Sequence, residues 1–91
     1  MVQIYDPTTG QQVASVEHGE SNVNTVAWSP DGNYLASGGD DDTVKIWDAS
    51  TWQQLKVLNH PNTVDSVDWS ADGTLLAVAC ETGEIWVWSA K

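Results

Sequence analysis

The sequence has no Phe, one Cys, three Pro and three basic side chains. Each shortage excludes something. A single thiol, Cys80, permits no disulfide within the chain and no zinc cluster built on thiolates. It lies in "LLAVACE", where a small buried thiol is expected. Lys45, Lys56 and Lys91 stand against thirteen acidic residues, a net charge of −10. That field repels phosphate backbones and anionic headgroups, so neither nucleic acid nor a membrane surface is an expected partner. A basic protein or peptide is the partner class that charge favours, and solubility is its ordinary consequence. No apolar run is long enough to cross a bilayer, and "MVQIYDPTTG" has no basic segment before an apolar one. No signal peptide is read, and a cytoplasmic location is expected. No window holds a helical period, which leaves an all-β chain.

What the chain has is Trp, six of them, and repetition. "NTVAWSPDGNYLASGG" (24–39) matches "DSVDWSADGTLLAVAC" (65–80), and "VQIYDPTTGQQVASVEH" (2–18) matches "VKIWDASTWQQLKVLNH" (44–60). "VKIWDAS" returns as "IWVWSAK" at 85–91. Asp6 to Asp48 is a shift of 42, and Trp28 to Trp69 and Trp47 to Trp88 are shifts of 41. The slip of one residue falls where "HGESNV" faces "HPNTV", which marks a loop. A repeat of this length is one supersecondary unit. Within each unit, β-branched and aromatic clusters alternate with Pro30-Asp31-Gly32, Ala71-Asp72-Gly73 and Thr82-Gly83, which are turn chemistry. "YLA" and "LLAVA" are apolar at consecutive positions, as in a sheet packed on both faces. Trp28 and Trp69 fall on the apolar register of their strands and are expected in the core.

A period near 42 that ends in Trp-Asp, with His18 ahead of "VAWSPDG" and "LASGGDDDTVKIWD", resembles the WD40-repeat family of β-propellers. The resemblance implies four-stranded blades, innermost strand first. It maps 18–59 onto a first blade and 60–91 onto a second without an outer strand. Strands at 2–6 and 11–17, within 1–17, are then left for a seam with a neighbouring chain. The whole of 1–91 is a single two-blade unit. Two blades expose two apolar faces, and propellers need several blades to close. At about 25 cal/mol per Å², an uncovered face forfeits free energy comparable with a domain's whole stability. The expected partner is therefore the chain itself, in a head-to-tail ring of four chains and eight blades. Such a unit has the character of a designed or excised fragment. Strands 2–6 and 84–90 compete for one place at the seam, and 84–90 is the favoured resident.

The acidic run "GGDDDTVKIWDAS" admits three readings. The family resemblance implies a buried hydrogen-bond network of His18, Ser37, Asp41 and Trp47. It is partial in the second unit, where His60 and Trp88 persist but Val78 and Thr82 replace the hydroxyl and the acid, so packing should dominate there. A hydrolase built on Ser37, His18 and Asp41 would need an exposed nucleophile, and Ser37 sits mid-strand in an apolar run. An acidic metal-binding ring would need spaced ligands, which three adjacent Asp do not provide. The expectation is a non-catalytic scaffold with no cofactor and no metal. The resemblance places a partner-binding face at Asn22, Asn24 and Asp40, and at Thr63, Asp65 and Glu81. These side chains are small, polar or acidic, without the aromatic or Arg anchors of strong interfaces.

Overall fold

The computed structural model describes residues 2–5, 7–16, 19 and 21–89. They form nine β-strands and no helix: β1 (Val2–Tyr5), β2 (Gln12–Val16), β3 (Val23–Trp28), β4 (Tyr34–Gly39), β5 (Thr43–Asp48), β6 (Gln54–Asn59), β7 (Val64–Trp69), β8 (Leu75–Cys80) and β9 (Ile85–Ser89). They make a two-stranded sheet β1-β2, a four-stranded sheet β3-β4-β5-β6 and a three-stranded sheet β7-β8-β9. Every pairing is antiparallel.

The repeat survives as geometry. β3 and β4 are bulged between Val23 and Thr25, and β7 and β8 between Val64 and Ser66. Three left-handed backbone positions recur: Gly10 and Trp52, Gly32 and Gly73, Asp42 and Gly83. Gly fits such a position without a Cβ clash, whereas Trp52 and Asp42 adopt it at a cost. Trp52 is tied down by packing, edge-on to Trp28 with ring centroids 5.9 Å apart.

β4 lies between two cores. Leu35 joins Ile4, Val16 and Trp47 in a cluster beneath β1-β2. Ala36, with Val44 and Ile46 of β5, faces Val64, Val67, Leu76, Val78 and Cys80 of the second blade. Period-two alternation thus feeds both faces of one strand. The blades also join by hydrogen bonds between residues one repeat apart. Val67 N–H donates to Thr25 Oγ1 (3.3 Å), and the Trp69 indole donates to the Ala27 carbonyl (3.0 Å).

Two expectations are corrected. Trp28 is 49% exposed, not core. Alternation along β3 turns Thr25 and Ala27 toward β7 and leaves Val26 and Trp28 on the opposite face. There β1 covers β4 rather than β3, so both side chains line an open groove with Val2, Ile4 and Tyr5. β8 is packed on one face, not two. Leu76, Val78 and Cys80 are buried against the first blade, while Leu75 and Ala77 are exposed.

Candidate functional site

In the first blade Ser37 is 0% exposed. Its Oγ accepts the Trp47 indole N–H at 2.9 Å. Antiparallel pairing sets Ser37 opposite Lys45, so Trp47 lies two residues along the neighbouring strand on the same face, within reach of the hydroxyl. A buried indole donor needs such an acceptor. Asp41 holds the β4–β5 turn: its Oδ1 accepts Thr43 N–H at 3.2 Å and Thr43 Oγ–H at 2.8 Å. His18 lies outside the described residues. A fully buried Ser already bonded to an indole gives a substrate no approach, which removes the nucleophile the hydrolase reading requires. Among the described residues, no three His, Cys, Asp or Glu side chains converge to hold a metal.

In the second blade Val78 replaces Ser37, and the Trp88 indole donates directly to His60 Nε2 at 3.0 Å. The two network members expected to persist in the second blade, His60 and Trp88, are thus joined directly, with no hydroxyl between them. Trp86 stacks on Trp88 (centroids 6.3 Å, 17° between planes), and His60 meets both rings edge-on. The β8–β9 turn is held by Thr82 and Glu84, both taken by the Asn62 amide at 3.1 Å. Thr82 also donates to Glu84 (3.1 Å). Asp41 and Thr43 in one copy become Thr82 and Glu84 in the other, with hydroxyl and acid exchanged. That exchange was visible as a spacing of two residues. Cys80 is buried, which pushes its thiol pKa up, and Glu84, Asp65 and Asp42 add to the shift.

The residues of the expected binding face fall on one rim, at the ends of β3, β4, β7 and β8. Each bulge inserts one residue, Asn24 in β3 and Asp65 in β7, and bulges re-aim side chains. Asn24 Nδ2 donates to Asp40 Oδ1 (2.7 Å) and to the Val64 carbonyl (3.1 Å), so it bridges the blades. Asn22 Nδ2 donates to Asp40 Oδ2 (3.3 Å). The Asp40 N–H in turn reaches the Asn22 carbonyl, as Glu81 N–H reaches that of Thr63. Asn24 is thereby committed to the fold. Asp40, Asp65 and Glu81 are left exposed as acceptors without a described cationic partner among them.

Comparison with known proteins gives the same repeat. The family model for the WD domain, G-beta repeat, matches residues 10–48 and again 52–89. The chain is 37% identical over 60 residues, 66% of its length, to protein HIR1 of Cryptococcus neoformans. It is 38% identical over 61 residues, again 66% of its length, to a guanine nucleotide-binding protein subunit beta of Solanum tuberosum. A shorter stretch of 37 residues, 41% of the chain, is 49% identical to protein tipD of Dictyostelium discoideum. The matches span 7%, 16% and 6% of these relatives' own lengths. Among the described residues, no helix is long and apolar enough to cross a membrane. Repeat period, blade topology, the Trp–Ser bond and two matches of one family model agree, and the chain belongs to the WD40 repeat family.

Proposed function

We propose that the chain is a non-catalytic, two-blade segment of a β-propeller whose activity is association, with copies of itself and with a basic protein or peptide. WD40 repeats are in general protein-interaction scaffolds, and the geometry suits that role. One observation carries the reading. The outer face of the second blade is apolar and open: Ile85 is 72% exposed, Val87 64%, with Leu75 beside them. A patch of this kind on an edge strand is a site of pairing or aggregation unless something covers it. In a polypeptide of these 91 residues, a second copy brings a fitting surface. The β1-β2 ladder repeats the β5-β6 ladder, bulge included, between Ile4 and Tyr5 in one and Ile46 and Trp47 in the other. β2 thus has the register of a strand that pairs with a β5- or β9-type neighbour. Four chains with eight blades is the proposed ring. Light scattering on the 91-residue chain should give a discrete multiple of 9.9 kDa. Val87→Lys with Ile85→Lys should shift it toward the monomer mass. A folded wild-type monomer would end the assembly reading.

The rim supports the partner class. Asp40, Asp65 and Glu81 present acceptors to solvent on a chain of charge −10, which favours a cationic ligand. A Lys/Arg-rich peptide titrated onto the protein at low salt should bind. Asp65→Asn with Glu81→Gln should weaken it several-fold, and affinity should fall steeply with added salt. Binding that ignores both the substitutions and salt would place the site elsewhere.

A further inference from the structure

Among the described strands β9 pairs with β8 alone, and Trp88 packs it against the core between the blades. Val78 faces Trp86 across the ladder as Ser37 faces Lys45, so Val78 occupies the place of the hydroxyl that Trp47 uses. With Val78 fully buried and apolar, the Trp88 indole turns to His60 Nε2. A neutral imidazole has one donor and one acceptor nitrogen. Nε2 accepts here, so Nδ1 carries the hydrogen. Nδ1 is buried and makes no hydrogen bond to any described residue. The ring is 8% exposed and packs edge-on against the stacked pair of Trp86 and Trp88.

We infer that the Trp88–His60 bond is an acid-released latch on β9. The lone pair that accepts the indole is the one that takes the second proton. When a solvent proton forms an N–H bond at Nε2, two donors face each other and the indole loses its acceptor. Val78 offers none in exchange. Trp88 is freed, and β9 then rests on its ladder with β8 alone among the described strands.

The elements around His60 carry Asp40, Asp41 and Asp42 in the β4–β5 turn, Asp65 and Asp68 in β7, Cys80 in β8, and Glu81 and Glu84 between β8 and β9, and the backbone N–H of His60 itself donates to the Asp42 carbonyl. Of these, Glu84, Asp65 and Asp42 act on the Cys80 thiol. His60 is shifted below its ordinary 6.5 by burial, which outweighs the opposing carbonyls of Leu58 and Asp42. Those carbonyls favour the charged ring by proximity, without closing a bond on Nδ1. The sign follows. The unfolded chain binds this proton more readily than the folded one, so the latch contributes fully above about pH 6.5 and fades as pH falls toward the folded midpoint.

The test is the indole N–H resonance of Trp88 in the ¹⁵N-labelled full chain, assigned with Trp88→Phe and followed from pH 8 to 4.5. It should move with a midpoint below 6.5. Protection of the β9 amides, corrected for intrinsic exchange, should fall in step by up to about tenfold per pH unit, the slope of one proton. His60→Gln should abolish the titration. Val78→Ser supplies the hydroxyl of the first blade and should make Trp88 and β9 insensitive to acid, which keeps the test decisive if His60→Gln fails to fold. A Trp88 resonance that does not move, or one that titrates unchanged in either variant, would overturn the latch.

Discussion

Leu35→Ala should cost about 2–5 kcal/mol of unfolding free energy, the range for a large-to-small change in a packed core. It should also release β1 and β2 before the rest of the chain. Leu35 is buried in a cluster that contains Ile4, Val16 and Trp47, with Val2, Ala14 and Trp52 packed around it. β1 and β2 pair with each other, and their described apolar contacts to the blades run through this cluster. A cavity there removes the cover over two short strands that pair with no other described strand of their own chain. Leu76 sits one repeat later and is equally buried, but it belongs to the core between the blades. Leu76→Ala should cost a similar amount and spare the β1-β2 ladder relative to β7-β8-β9. Hydrogen exchange by mass spectrometry separates the two, because protection is read segment by segment. If Leu35→Ala lowered protection evenly across all nine strands, the two cores would be one cooperative unit, and the division drawn here would be wrong.

The sequence carried the repeat and its turns well, because both are local. Ser-Pro-Asp-Gly and Ser-Ala-Asp-Gly become two copies of one turn. Asp31 accepts from Ser29 Oγ (2.6 Å) and Asp72 from Ser70 Oγ (2.7 Å). Those bonds hold the Asp31 carboxyl below its usual range and bring Asp72 to about 2. The pairing of Trp47 with Ser37 was implied by the family resemblance, and the register of β4 and β5 puts the two side chains on one face. What failed was anything that depends on which neighbour covers a face. Trp28 reads as core on strand periodicity, yet β1 lies over β4 and leaves it half in water. "LLAVA" reads as buried on both sides, yet one side of β8 is open. In the second blade the resemblance implied both His60 and Trp88, but not the direct bond between them. It arises from a loss, Ser to Val, and the replacement acceptor comes from the loop before β7. The left-handed Trp52 was equally illegible, because its backbone is fixed by packing on Trp28 and the Leu35 cluster rather than by its own preference.

The closest approach between the blades gives the second large effect. Gly38 lies in β4 on the face turned to β7. A Cβ added there would overlap Val64 Cγ1 and come within 3.1 Å of Val64 Cβ and 3.0 Å of Thr25 Cγ2. Gly38 has no left-handed backbone, so Ala is allowed locally and the cost is steric. Val64 is itself fully buried and has no room to withdraw. Overpacking of this kind costs about 1–3 kcal/mol, against which the stiffer unfolded chain returns about 0.4–1 kcal/mol. Gly38→Ala should therefore destabilise by up to about 2.5 kcal/mol, and Gly38→Val by more. The loss should be largest for β7, which Val64 opens and whose side chains fill the space against β3 and β4. The cause can be isolated with a double-mutant cycle in urea. Val64→Ala makes a cavity in the wild type but relieves the overlap in Gly38→Ala, so the pair should cost clearly less than the sum of its parts. Simple additivity would mean that the blades sit farther apart than β4 and β7 do here, and that Gly38 is retained for some reason other than the distance between them.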